Sequence, residues 1–268
     1  MDLRRIHTLF PNGRNKVLTF SYDDGREEDR RLVSIFKEHG LKATFNLNSG
    51  EAKTDVHRVP MDEWNDLYSG FELASHTVNH PPIDRSPLPL VAQEILEDRK
   101  AIEAVVGYPV RGFAYPFGSY TPEILSLLPS LGIRYGRVVG DSDNFSMPED
   151  FYKWKATCHH NHRLYENAEA FLAINNDFRL NLMYVWGHSY EFTTYDNWDL
   201  IERFASLVSR RDDIWYATNI EIVDYMDASK RLVFSADNSI VSNPTALDIW
   251  LSVDGLPAIV PGGKTINI

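Results

Sequence analysis

The sequence has little cysteine and no long apolar run. Cys158 is the only cysteine among 268 residues, so no intrachain disulfide can form and nothing indicates an oxidising compartment. No segment approaches the roughly 20 apolar residues of a membrane span, and residues 1–7 lack the apolar stretch of a signal peptide. We therefore expect a cytoplasmic protein without a membrane partner. A leader removed from the chain is the alternative.

Basic residues are also scarce relative to acidic ones. The chain has 27 Lys plus Arg against 38 Asp plus Glu, a net charge of -11. A nucleic-acid partner requires a basic face, so this class of partner is excluded. The 6 Trp, 13 Tyr and 14 Phe supply flat apolar faces on which sugar rings stack. The composition therefore permits a small-molecule or oligosaccharide substrate, and it leaves a homo-oligomer open.

Short apolar strands alternate with amphipathic helices along most of the chain, which predicts a parallel sheet. The predicted strands are residues 17–22, 43–46, 71–75, 113–115, 135–139, 155–158, 182–186 and 214–217. The predicted helices are residues 30–37, 61–68, 90–106, 122–131, about 167–175 and 198–209. A single α/β barrel of about 250 residues is common. We therefore predict an α/β fold, a distorted parallel (β/α) barrel of about seven strands, over residues 1–230.

The pattern changes after residue 227. Short β-like runs at 232–235, 239–241, 248–251 and 258–260 are separated by turn dipeptides, and no helical period appears. This predicts a small antiparallel β extension over residues 231–268, packed on the barrel and too small to fold alone.

Two carboxylates and two imidazoles stand out. A predicted strand ends in Asp23, Asp24 and Gly25, and His76 and His80 follow the strand at 71–75. Histidines four apart share one face of a helical turn, so their ring nitrogens can converge on one ion, and one carboxylate completes a catalytic ligand set. The second carboxylate is then free to act as a base. Taken alone, either fragment also fits an ordinary solvated turn or loop.

On these residues the chain resembles the polysaccharide deacetylase family, the metal-dependent carbohydrate esterases that remove N- or O-acetyl groups from sugars. Residues 21–25, Ser-Tyr-Asp-Asp-Gly, match the family's first motif with two conservative changes, and Arg26 replaces the usual proline. Residues 75–80 match the His-x-x-x-His motif in full, and residues 42–45 are similar to the family's second strand.

The third motif departs from the family pattern. Residues 114–118 read Ala-Tyr-Pro-Phe-Gly, so Ala114 stands where the family has an arginine that orients the base. The Pro-aromatic-Gly turn is retained, which implies that the Phe117 N–H faces the oxyanion. The strand at 182–186 leads to His188, the general acid by resemblance. The family's Asp and Trp pair that tunes this acid has four candidates here: Asp141, Asp143, Trp154 and Trp186.

The resemblance implies a metal-dependent hydrolase of acetylated carbohydrate. By this resemblance, Asp24, His76 and His80 hold a divalent metal and Asp23 is the base. We expect the metal to be zinc. We expect a second set of side chains to line the substrate site. These are Tyr115, Trp186, Tyr190 and His160.

The run Cys158-His159-His160-Asn161-His162 is not expected to bind metal, because consecutive residues of an extended segment point to opposite faces.

Two other functions remain open from the sequence. One is hydrolysis of a non-sugar amide or imide on the same fold. The other is a catalytically silent carbohydrate-binding protein, which the absent motif arginine favours and the retention of both aspartates opposes. A phosphatase-type nucleophilic aspartate fits less well, since it leaves His76 and His80 without a role.

Overall fold

The computed structural model describes residues 4–176 and 178–268. Residues 1–3 and residue 177, which belong to the predicted unit 1–230, lie outside the described residues. The strands in chain order are β1 (Ile6–Leu9), β2 (Lys16–Asp23), β3 (Thr44–Leu47), β4 (Glu72–Ser75), β5 (Gly112–Ala114), β6 (Tyr135–Asp141), β7 (Trp154–Ala156), β8 (Cys158–His159), β9 (Asn181–Gly187), β10 (Ile214–Tyr216), β11 (Val233–Phe234), β12 (Ile240–Ser242), β13 (Ile249–Val253), β14 (Leu256–Val260) and β15 (Thr265–Asn267).

A parallel sheet forms the centre of the molecule. Its strand order is β7-β6-β5-β4-β3-β2-β9-β8, and β10 pairs with the beginning of β2. The two ends of this order are adjacent in sequence, since only Thr157 separates β7 from β8. The Thr157 N–H donates to Tyr184 O at 2.8 Å, which ties this junction to β9. The sheet is thus a nearly closed parallel barrel, and the predicted fold class is confirmed.

Helices surround this barrel. They are α1 (Asp29–His39), α2 (Trp64–Leu67), α3 (Leu88–Val106), α4 (Pro122–Leu127), α5 (Leu164–Ala173), α6 (Tyr190–Thr194), α7 (Trp198–Val208) and α8 (Asn219–Ser229). Every residue of β2 and β9 is buried, as expected for central strands of a parallel sheet covered on both faces. Leu18 and Phe20 of β2 pack in a core cluster with residues of α1 and α7.

Two three-stranded antiparallel sheets lie outside the barrel. Their orders are β1-β13-β14 and β11-β12-β15. Ile249 and Leu251 of β13 share a core cluster with Leu182 and Tyr184 of β9, so the C-terminal segment packs against the barrel. The boundary between residues 230 and 231 stays a prediction. Strand β1, from the predicted barrel unit, pairs with β13 across it.

The carboxyl ends of the barrel strands position the site. Asp23 ends β2, His76 follows β4, Ala114 ends β5 and His188 follows β9. In a parallel sheet these ends meet at one rim, which is the rim where β/α barrels build their active sites. The next strand along, β6, places Arg137 two residues beyond its start, inside the barrel wall.

Candidate metal and catalytic site

The ligand atoms of Asp24, His76 and His80 come together at this rim. One atom from each residue lies within 4.8 Å of the others, and the two imidazole Nε2 atoms are 3.1 Å apart. Two ligands at zinc distance in a tetrahedral site would be separated by about 3.3 Å. The observed separation therefore fits two histidines that share one ion.

The backbone of His76 and His80 is not helical, so the expected helical turn is wrong. Both residues lie in the loop after β4, where Thr77 and His80 adopt positive φ values of 69° and 50°. The loop is closed by a bond from the His80 N–H to Thr77 Oγ1 at 3.0 Å. Pro81 follows directly, and a residue before proline is disfavoured in the right-handed helical region. The left-handed backbone conformation of Thr77 and His80 brings the two imidazole rings together.

His76 is held in the tautomer that a metal ligand requires. Its Nδ1 lies 2.7 Å from Ala114 O. Since a carbonyl oxygen can only accept, Nδ1 carries the proton and Nε2 presents its lone pair to the site. Burial, opposed by Asp23 and Asp24, lowers the pKa of His76 to about 4. The ring is therefore neutral at pH 7, as metal binding demands.

Asp24 combines an unusual backbone with a cationic neighbour. Its φ is 81°, in the left-handed region that Asp tolerates better than most residues. Arg58 donates to its carbonyl oxygen, and an Arg58 nitrogen lies 3.5 Å from Asp24 Oδ1. Arg58 thus contacts both the backbone and the carboxylate of Asp24, and that carboxylate also lies within 4.8 Å of a ring nitrogen of each histidine.

Asp23 is buried and held by two partners. Asn46 Nδ2 donates to its Oδ1 at 2.8 Å, and Arg137 forms an ion pair with its Oδ2. Burial alone would raise the pKa of Asp23, but the Arg137 charge, with His76 and His188, lowers it to about 2. Asp23 is therefore a carboxylate throughout the neutral range.

Arg137 gives Asp23 a cationic partner although Ala114 stands at the family's arginine position. It comes from β6, the strand next to the one that carries the family arginine, and it is 0% exposed. The Trp186 ring lies 4.8 Å from its guanidinium carbon and contributes a cation–π contact. A signal existed in the sequence, since an arginine in the middle of an apolar strand requires a buried partner.

His188 lies close to two carboxylates, Asp23 and Glu191. Its Nε2 is 3.9 Å from Asp23 Oδ2, and its Nδ1 is 3.5 Å from Glu191 Oε1. Burial would lower the pKa of His188, but Glu191, Asp23 and Asp24 together raise it above its ordinary value. Sequence reasoning missed Glu191, although a carboxylate three residues after a candidate acid was a usable signal.

Among the four Asp and Trp candidates, the structure brings Asp141 and Trp186 into contact. Trp186 Nε1 donates to Asp141 Oδ1 at 3.3 Å, and the His159 N–H donates to the same oxygen. This pair touches Arg137 through the indole ring. Asp143 is bonded instead to His162 and Asn167, and Trp154 lies in the core beside Tyr184.

Phe117 lies beside His80, and Tyr190 lies beside His188. Phe117 is 64% exposed, has a φ of 57°, and its ring centroid is 4.6 Å from that of His80. Tyr190 is half-exposed, 5.3 Å from the His188 ring, and Arg26 stacks on it at 5.3 Å. Trp186 is only 7% exposed. Its contact with a substrate stays a prediction, as do the roles of Phe117 and Tyr190.

Two expected substrate contacts lie inside the protein. Tyr115 is fully buried, and its hydroxyl donates to Tyr152 O at 2.8 Å. His160 is also fully buried and stacks between Tyr22 and Phe192, with ring centroids 5.7 and 4.2 Å away. As placed, neither side chain offers a face to a sugar.

The orientation expected for the histidine run is also wrong. His159 ends β8 and His160 follows it, so the strand alternation does not continue, and both rings face Glu191.

Comparison with known proteins matches the Polysaccharide deacetylase family model to residues 11–136. A peptidoglycan-N-acetylglucosamine deacetylase of Listeria monocytogenes is 25% identical over 112 residues, which is 41% of this chain and 23% of that protein. A chitooligosaccharide deacetylase of Azorhizobium caulinodans is 26% identical over 117 residues, or 42% of this chain and 54% of that protein. The chain thus spans about a quarter and about half of these two relatives.

Solved structures share the fold. A Mycobacterium smegmatis protein assigned to the polysaccharide deacetylases superposes with a TM-score of 0.62 at 19% identity, covering 82% of this chain and 93% of that one. A carbohydrate esterase family 4 pseudoenzyme of Bacillus anthracis gives 0.53 at 16% identity, with 80% and 66% coverage. The resemblance to the polysaccharide deacetylase family is therefore confirmed, and the chain has the fold of these carbohydrate deacetylases.

Among the described residues, none of the helices combines the length and apolar character that crossing a membrane requires.

Proposed function

We propose that this protein is a metal-dependent hydrolase that removes acetyl groups from N- or O-acetylated carbohydrate. The observation that carries the proposal is the position of Asp23. Its Oδ2 lies 3.9 Å from the Nε2 of His76, a candidate ligand, and 3.9 Å from the Nε2 of His188, a candidate acid. A base between a ligand set and an acid is the arrangement that hydrolysis of an amide or ester needs.

Asp24, His76 and His80 would hold the ion in this proposal, and their donor set suits zinc. A divalent ion bound there would lower the pKa of a coordinated water from about 15.7 to about 7 and polarise the substrate carbonyl.

Asp23 accepts the proton of the attacking water. The ion pair with Arg137 keeps it charged and fixes its orientation, and it also makes Asp23 a weak base with a pKa of about 2. A weak base takes a proton readily only from an acidic donor. Asp23 is therefore effective as a base only if a nearby metal ion makes the water acidic. This supports assigning Asp23 and the three candidate ligands to one reaction.

His188 supplies the proton to the leaving group. An amine or an alkoxide that leaves a tetrahedral intermediate must be protonated. The raised pKa of His188 increases the fraction of imidazolium at neutral pH. The Phe117 N–H, in the exposed turn beside His80, is the proposed donor to the oxyanion, and such a donor is worth about 3 kcal/mol of barrier.

The absent motif arginine was the feature that favoured a silent binding protein. Arg137 pairs with Asp23 from the neighbouring strand, so the base does not lack a cationic partner. Both aspartates, both histidine ligands and the candidate acid are retained around it. This supports an enzyme over a silent binding protein.

Acetate release tests the proposal. We expect the zinc-loaded protein to release acetate from N-acetylglucosamine oligomers or O-acetylated sugars, and a chelator to abolish that release. Thermal unfolding should change little on chelation, because the ligands lie at the ends of an already packed barrel. Full activity in protein shown by elemental analysis to contain no metal would refute the metal role.

The substrate panel separates the alternatives. It should also contain cyclic ureides, imides and small acetamides. Turnover of these compounds with none of the acetylated sugars would assign the site to non-sugar amide hydrolysis. Sugar binding without any turnover in metal-loaded protein would assign the fold to a silent binding protein.

A further inference from the structure

A single carboxylate beside the proposed active site faces three imidazoles. Glu191, on α6, places Oε2 at 2.9 Å from His159 Nε2 and at 3.1 Å from His160 Nε2. Its Oε1 lies 3.5 Å from His188 Nδ1. Only His188 has a role in the proposed function, so Glu191 and the other two histidines are unassigned.

We propose that Glu191 is the positioning residue of His188, and that His159 and His160 hold Glu191 in place. This inference rests on the proposed function and deepens it. Glu191 Oε1 is the carboxylate oxygen that faces His188 Nδ1, at 3.5 Å. In the imidazolium both ring nitrogens carry a proton, so with Nδ1–H directed at Glu191 the proton that leaves is the one on Nε2, which faces Asp23. In this way the carboxylate fixes both the ring orientation and the nitrogen that delivers the proton.

The two nitrogens of His188 face different carboxylates, which is the geometric basis of the inference. Nδ1 faces Glu191, while Nε2 faces Asp23 at 3.9 Å. The His188 backbone N–H also donates to Glu191 Oε2 at 3.3 Å. The Asp141 and Trp186 pair does not reach His188 with a hydrogen bond, since Asp141 is taken by Trp186 and the His159 backbone.

His159 is held as a neutral donor to Glu191. Its Nδ1 accepts the Asn161 N–H at 3.1 Å, so the ring proton is on Nε2, which faces Glu191. This tautomer opposes a second metal site at His159, His160 and Glu191, although their ligand atoms lie within 4.8 Å of one another. A metal would require the lone pair that carries this proton.

His160 completes the support from inside the core. It stacks between Tyr22 and Phe192, and burial lowers its pKa to about 4, so it is neutral at pH 7. Its close approach to β9 depends on Gly187, because a Cβ there would lie 2.1 Å from His160 Nδ1. Although burial opposes ionisation, the three imidazoles that face Glu191 hold its pKa well below its usual range.

The charged groups that face His188 come from two elements. Asp23 and Asp24 lie at the end of β2, and Glu191 lies on α6. The Tyr190 ring is a further neighbour at 5.3 Å. Without Glu191 the two aspartates still favour imidazolium, but nothing then selects which nitrogen faces the substrate. Loss of Glu191 should therefore impair proton delivery while leaving substrate binding intact.

The kinetic test compares Glu191→Gln with the matched control Glu169→Gln, an exposed position on α5. In the zinc-loaded enzyme we expect E191Q to lower kcat on an N-acetyl sugar by about 10-fold to 100-fold, with KM within about threefold. The basic limb of its pH–rate profile should move to lower pH. Hydrolysis of an activated aryl acetate, whose leaving group needs no acid, should fall far less. Equal loss on both substrates would refute the inference.

A spectroscopic readout separates this inference from the proposed function. Nitrogen-15 NMR of zinc-loaded wild type should show the His188 Nδ1 protonated, with His188→Gln used for assignment, and E191Q should shift that signature. This result decides the inference even if no substrate is turned over. An unchanged tautomer in E191Q would refute it, as would a second zinc per chain in wild type that E191Q loses.

Should E191Q fail to fold, His159→Gln provides the second variant. This variant leaves Glu191 charged but removes its contact with the His159 ring. We therefore expect a smaller loss of kcat than in E191Q, again larger for the N-acetyl sugar than for the aryl acetate. A loss in H159Q that is equal for the amide and the aryl acetate would contradict the anchoring role.

Discussion

Asp23 and Asp24 are neighbours in sequence but face different partners. Asp23 contacts Arg137 and Asn46, whereas Asp24 has a positive φ, contacts Arg58 and groups with His76 and His80. At the scale of single residues, this division of two similar side chains is the basis for proposing one of them as a metal ligand and the other as the base.

The first prediction separates these two carboxylates. Asp24→Ala should lose bound zinc, because it removes one of three ligands. Asp23→Asn should retain zinc and lose rate by about 10²-fold to 10⁴-fold, as expected of a general base. Elemental analysis and kcat on one acetylated sugar measure the two effects. Equal loss of zinc in both variants would mean that the roles are misassigned.

A second prediction concerns Arg137. Arg137→Met should lower kcat while zinc is retained, because Asp23 loses the partner that orients it. It should also destabilise the fold by about 3–5 kcal/mol, the usual consequence of leaving a buried charge unpaired. The double variant R137M/D23N removes both charges and should recover part of that stability in urea unfolding. No recovery would show that the two side chains are not energetically coupled.

The control for this experiment is Arg134→Met. Arg134 pairs with Asp227 on the surface, 46% exposed, where an ion pair is worth about 0–1 kcal/mol. Both kcat and stability should stay near the wild-type values.

At the scale of elements, helix α3 connects the end of β3 to the end of β4, beside the candidate ligand His76. Asp98 accepts the Ser49 N–H at 2.7 Å just after β3. It also accepts the hydroxyl of Ser75, the last residue of β4, at 2.6 Å and the His76 N–H at 3.2 Å. Burial raises the pKa of Asp98 to about 6, against the hydrogen bonds that favour its charge. One buried side chain thus joins two strand ends beside the candidate metal site.

The third prediction follows from these hydrogen bonds of Asp98. Asp98→Ala should reduce zinc affinity, measured by competition with a chromophoric chelator, because the His76 backbone loses a partner. It should also lower the free energy of unfolding by about 1–3 kcal/mol, the penalty for buried donors left without an acceptor. Glu97→Gln, on the exposed face of the same helix, is the control. Unchanged zinc affinity in D98A would contradict the positioning role of α3.

At the scale of the whole molecule, Glu72 links elements that are far apart in sequence. It accepts hydrogen bonds from the Thr44 hydroxyl on β3, the Tyr135 hydroxyl on β6 and the Ile220 N–H of α8. Burial raises the pKa of Glu72 to about 7, against these bonds. The folded state therefore holds a proton on this group more tightly than the unfolded state, whose pKa is near 4.5.

The fourth prediction is the pH dependence of this contribution. A raised folded-state pKa stabilises the fold fully below the unfolded pKa, and the stabilisation is lost as pH rises through about 7. The free energy of unfolding of wild type relative to Glu72→Gln should therefore decrease between about pH 5 and pH 8. Urea unfolding at several pH values measures it, with Glu38→Gln as an exposed control. A difference independent of pH would show that the pKa of Glu72 is not raised.

Most barrel strands were predictable because their apolar runs are short and bounded by turns. Helix α8 was missed, although Thr218 and Glu221 form a capping box at its start. The predicted helix at 122–131 becomes α4 followed by a 3-10 turn over Leu128–Leu131, where Pro129 cannot continue the α-helical bonding. Strand β1 was missed because its partner, β13, lies some 240 residues away and leaves no local signal.

The sequence by itself determined the resemblance to the polysaccharide deacetylase family, the parallel barrel and the three ligand candidates, because these are carried by local strand patterns and short motifs. Only the tertiary structure decided which side chains support them. Arg137 reaches Asp23 because β5 and β6 are neighbours in the sheet, and Glu191 meets His159 because β8 and β9 are paired. It also placed Tyr115 and His160 in the core. Partners of this kind depend on strand order and burial, which arise only when distant segments pack together.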